Sequence, residues 1–92
     1  MIAVRARRGP AVWRAVDGFV TVASPDGRSV RAAGSAAAIW DLLPDPGHPS
    51  IDVAEIVDRL ATEHRADLNA VASDTRRVLV AWEAIGCAVL ES

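Results

Sequence analysis

The chain has no lysine, one cysteine and two histidines, and each shortage removes a class of chemistry. A single cysteine, Cys87, excludes an intramolecular disulfide, and with only His48 and His64 beside it no zinc-binding pattern can be assembled. Long apolar runs are missing too: Ala36–Trp40 falls far short of the ~20 residues that cross a bilayer. Nor is there a signal-peptide layout, because Arg5, Arg7 and Arg8 lead into Gly9-Pro10 and a stretch broken by Arg and Asp. Charge of one sign is also lacking. Ten Arg against twelve acids leave a net charge of −2, so no global field draws the chain onto nucleic acid or anionic lipid. What remains is 92 residues, 51% apolar and 24% charged, which makes one small globular domain. The expectation is a cytosolic, non-catalytic domain that needs no cofactor and no metal.

The first eleven residues read as a loose arm or a short edge strand. Four arginines, Arg5, Arg7, Arg8 and Arg14, crowd this end while the rest of the chain is acidic. Such an arm is solvated, or it touches an acidic partner. The domain proper is expected over residues 12–92. Val12–Val16 is β-rich and ends at Asp17-Gly18, after which Phe19-Val20-Thr21-Val22 resumes. Asp-Gly between two such runs predicts a hairpin, because both central residues of a type I′ turn need positive φ. Ser24-Pro25-Asp26-Gly27 then predicts a second turn and Arg28–Ala32 a third strand, with Val30 on one face and Ser29 and Arg31 on the other.

Helices follow. Ser35 is placed to cap a helix over 36–43, ended by Pro44, and the proline-rich stretch 44–49 is an exposed connection. Asp52 with Glu55 predicts a capping box, Ile51 with Ile56 a hydrophobic staple, and Val53, Ile56, Val57 and Leu60 one apolar stripe. Asp67 or Asn69 opens a third helix that stops at Gly86, with Val71, Thr75, Val78, Leu79, Trp82 and Ile85 on its stripe. Cys87–Leu90 is a terminal strand or an extended tail. Three strands and then three helices describe an α+β domain of the winged helix-turn-helix kind, a three-stranded antiparallel sheet followed by three helices.

Catalysis finds no footing in these residues. His48 sits in the proline loop and His64 at a helix end, Cys87 follows a helix C-terminus, and the acids are spent on turns and caps. A winged helix raises DNA binding as an alternative, but the third helix sets Arg76 and Arg77 against Asp67, Asp74 and Glu83. Phosphate contacts dominate DNA affinity, and this surface supplies few.

Four segments occur in a telling order. Ser35–Leu43 is a small-residue helix ending in Ile39-Trp40. Ile51–Leu60 follows, then Val71-Ala72-Ser73-Asp74 with Val78-Leu79, and last Ile85-Gly86-Cys87-Ala88-Val89. Over residues 12–91 this order resembles the PqqD-like family, the RiPP recognition elements. The resemblance implies a domain that holds the leader of a ribosomally made precursor peptide and presents it to a modifying enzyme or leader peptidase. A lasso-peptide pathway is the first expectation, although the aromatic segment common there is replaced by Ser29–Ala33.

The mode implied is strand addition to the free edge of the third strand, with the third helix as the opposite wall. An edge strand offers unpaired N–H and C=O groups, so the backbone supplies affinity and apolar pockets supply discrimination. The expected peptide-binding residues are Arg28, Ser29, Val30, Arg31 and Ala32 on the strand and Val71, Asp74, Thr75 and Val78 on the helix. Nucleic acid and membrane are not expected partners, and the chain is expected to be a monomer or a weak homodimer.

Overall fold

The computed structural model describes residues 4–92. Its strands are β1 (Arg5–Arg8), β2 (Val12–Val16), β3 (Phe19–Ala23), β4 (Ser29–Ala33), β5 (Ile51–Asp52) and β6 (Ala88–Glu91). Its helices are α1 (Ser35–Leu42), α2 (Val53–His64) and α3 (Leu68–Ala84). An antiparallel meander β2–β3–β4 followed by three helices makes this an α+β fold. The meander forms for local reasons. Asp17 and Gly18 adopt φ of 52° and 80°, the pair that a two-residue loop needs, so Val16 meets Phe19 directly.

The second turn is tied by side chains. Ser24 Oγ donates to Asp26, and the Arg28 N–H reaches both Ser24 Oγ at 3.2 Å and Asp26 Oδ1 at 3.3 Å. The Ser24 hydroxyl, helped by the Arg28 N–H, holds the Asp26 carboxyl below its usual range. Arg28 therefore belongs to the turn, and the third strand begins one residue later than the sequence predicts.

Four expectations are corrected. Arg5–Arg8 is neither a loose arm nor an edge strand. It is the central strand of a second sheet, in the order β5–β1–β6, pairing Arg5 with Asp52 on one side and with Glu91 on the other. Ser35 does not cap α1: the cap position is Gly34 at φ 59°, and Ser35 is the first helical residue. Asp52 occupies the cap position of α2 without a side-chain cap bond, because its carboxylate accepts from Arg5 Nη1 at 3.0 Å. Glu55 likewise leaves the predicted capping box and accepts from Arg59 at 2.9 Å. Asp67 does cap α3, accepting from the Ala70 N–H at 3.0 Å.

The core lies between the inner face of the meander and the helices. Val20, Val22 and Ala32 meet Ile39 and Trp40 of α1, Ile56 and Leu60 of α2, and Leu79 and Trp82 of α3. Trp40 is fully buried and contacts two rings edge-on, Trp82 at 5.3 Å and Trp13 at 6.3 Å. Trp13 accordingly lies on the inner side of the meander, opposite the buried Val22.

Arg8 closes this cluster from the second sheet. Its Nε and Nη2 donate to the Trp40 carbonyl at 3.2 and 2.8 Å, and its Nη1 donates to Asp45 at 2.9 Å. The guanidinium also lies 4.7 Å from the Trp13 ring and 4.9 Å from the Trp40 ring. A cation thus meets the negative end of α1 where the proline connection begins. Close approach explains Gly9: a Cβ there would sit 2.7 Å from the Gly86 carbonyl oxygen, where β1 passes β6.

Candidate peptide-binding edge

The meander places β4 at an edge. One side of Ser29–Ala33 pairs with Phe19–Ala23, and no strand among the described residues pairs with the other. Alternation turns Val30 and Ala32 inward and Ser29, Arg31 and Ala33 outward, as the sequence predicts. Ala32 is buried, whereas Val30 is only half-buried. Arg31 lies on the outer face with its guanidinium 4.0 Å from the Phe19 ring. Arg28 is in the turn, 3.4 Å from Asp26.

The α3 residues divide into two groups. Val71 and Val78 are half-buried and pack against the same core cluster as Val30. Thr75 is fully buried and lines no open surface, and its Oγ1 finds no partner among the described residues. Asp74 is exposed and accepts from Arg77 Nη2 at 2.7 Å. The structure therefore brings Val30, Val71 and Val78 onto one core from two elements. Thr75 is in that core, and Asp74 and Arg28 each face an ion-pair partner of their own. Shallow depressions open elsewhere, among them one along Asn69–Val80 of α3 and one on the outer face of the meander.

Other titratable groups offer little chemistry. Burial, reinforced by the charge of Asp26, pushes the Cys87 thiol up, away from the reactive thiolate. His48 and His64 are exposed on separate elements, and among the described residues no three His, Cys, Asp or Glu side chains cluster as metal ligands. Arg77 is engaged by Asp74, which leaves α3 with Arg76 alone for a phosphate. No helix among the described residues is long and apolar enough to cross a membrane.

Sequence reasoning missed two things. Arg8 belongs by sequence to an arm that is solvated or touches an acidic partner, and only its placement beside Trp40 makes it buried. The outer face of the meander, with Arg14, Val16 and Phe19, is the second, and strand alternation on both sides of Asp17-Gly18 carries its signal.

A family profile described as Coenzyme PQQ synthesis protein D (PqqD) matches residues 19–87, from the start of β3 through all three helices to Cys87. The chain belongs to the PqqD family. The matched span is narrower at both ends than residues 12–91 and leaves out β1, β2 and β6. PqqD-family membership identifies an accessory protein of peptide-derived cofactor or natural-product synthesis. No curated protein and no solved structure gives a significant match.

Proposed function

We propose that this PqqD-family chain is a non-catalytic RiPP recognition element. It binds the leader of a ribosomally made precursor by adding the leader as an antiparallel strand to the free edge of β4, and it presents that precursor to a modifying enzyme or leader peptidase. The observation that carries the reading is the open β4 edge, whose half-buried Val30 shares a core with half-buried Val71 and Val78. Backbone pairing provides affinity, and apolar leader side chains seat against these three valines. Ser29, Arg31 and Ala32 lend their backbone to that pairing, Arg28 and Asp74 set the register at its rim, and Thr75 supports the wall from within. A lasso-peptide precursor is the first class to test.

The test is an amide-shift titration of the labelled chain with the leader half of a small precursor encoded beside it. Shifts concentrated in residues 28–32 and 71–79 are expected. Val30→Asp should lower leader affinity by roughly a hundredfold, because a carboxylate replaces an apolar contact in a desolvated groove. A folded Val30→Asp variant that keeps its affinity would move the groove elsewhere. Added salt should weaken this binding only mildly, whereas phosphate-driven DNA binding falls steeply.

A further inference from the structure

We propose that the outer face of the meander is a second docking surface, for a protein partner that presents a carboxylate flanked by apolar side chains. Register lays out this face as three rows. Arg14, Thr21 and Arg31 form the middle row, Val16, Phe19 and Ala33 the row on the hairpin side, and Val12, Ala23 and Ser29 the third. The backbones of Arg14 and Arg31 thus stand about 10 Å apart, two strand spacings, with the Thr21 hydroxyl between them. Arg14, Arg31, Thr21, Val16, Phe19 and Asp17 line a depression of about 300 Å³.

Charge makes the depression selective. Arg5, Arg7, Arg8, Arg28, Arg59 and Arg77 each have a carboxylate within 4.0 Å, whereas Arg14 and Arg31, like Arg65 and Arg76 on the helical side, have none among the described residues, and only Arg14 and Arg31 share one sheet face. Stacking on Phe19 holds Arg31 on this face. Two free guanidiniums on one face present forked donors to a carboxylate. Around them Val12, Val16 and Phe19 are 74%, 52% and 40% exposed, an apolar rim that water solvates poorly.

Other occupants fit less well. A nucleic-acid backbone needs more cations than two, and it gains nothing from the valine rows or from Asp17 at the rim. A second copy pairing antiparallel through β2 about its central residue sets Arg14 against Arg14. Like charges directly opposite are destabilising.

The inference rests on the proposed adaptor function and deepens it by assigning the enzyme a face. A leader strand added to β4 continues the outer face beyond Arg31. A partner seated on that face therefore lies beside the bound peptide.

The experiment uses the full chain, immobilised for interferometry, with the purified processing enzyme encoded beside it as probe. The leader is titrated in parallel. Arg14→Glu and Val16→Asp should each weaken enzyme binding roughly tenfold or more, with leader affinity unchanged. Both positions are exposed, and circular dichroism checks that the variants fold. Val80→Asp, on exposed α3 surface, should leave enzyme binding as it was. Enzyme binding that survives both outer-face variants overturns the proposal, as does an enzyme that ignores a wild-type chain still able to bind leader. A wild-type chain that binds no leader overturns the adaptor reading instead. If the variants change only the affinity for duplex DNA, the face belongs to a different class of partner and the proposal fails.

Discussion

The two sheets use arginine in opposite ways. On β1 every arginine is engaged: Arg5 donates to Asp52 and Ser50, Arg7 lies 3.8 Å from Glu91, and Arg8 is buried against Trp40 and Asp45. On the meander, Arg14 and Arg31 face solvent without a carboxylate among the described residues. The first sheet fastens distant parts of the chain together, and the second presents surface. The difference shows that arginine content at one end of a chain says little about binding until the partners of each guanidinium are known. Three of the four N-terminal arginines are structural, and the one remaining, Arg14, sits in the middle row of an exposed face.

Breaking Arg8 gives the largest effect. Arg8→Ala should destabilise the fold by about 3 kcal/mol, measured by urea unfolding, because it removes charge-assisted bonds to the Trp40 carbonyl and packing between two indoles. Gly9→Ala comes next, at about 2 kcal/mol, since the new Cβ presses on backbone rather than on a movable side chain. Arg14→Ala should change stability by no more than about 0.5 kcal/mol, as a surface residue without an ion pair. A large loss there would erase the contrast between the sheets.

The smallest effect is local and depends on pH. The Asp26 carboxyl is held below its ordinary value of 3.8, so its contribution is present above that value and lost as pH falls through the lower folded value. Amide exchange at Arg28 should therefore quicken below about pH 4 relative to the neighbouring residues of β4. Asp26→Asn should remove that pH dependence.

The same contrast separates what could be read early from what could not. The β2–β3 hairpin, the alternation of β4, the α2 stripe and the α3 cap were all legible, because each depends on residues within a few positions of one another. On β4 and α3, Val30, Val71 and Val78 pack half-buried against the core, as strand alternation and helical spacing predict. Thr75 shares that helix face but is fully buried, because helical spacing puts a residue on a face and does not say whether another element covers it. Asp52 had the right position for a cap, but a distant Arg5 took its carboxylate. A local rule cannot see that competition.

By itself, the sequence determined the meander, the three helices and their apolar faces, since turn φ values and side-chain periodicity are set by neighbouring residues. Only the tertiary structure decided the second sheet. Arg5 pairs with Glu91 across nearly the whole chain, and strands of four and two residues carry too little pattern to name their partners. It also decided which arginines are fastened and which are free. A guanidinium's partner is chosen by proximity in space, and the fold brings that partner from the far end of the chain.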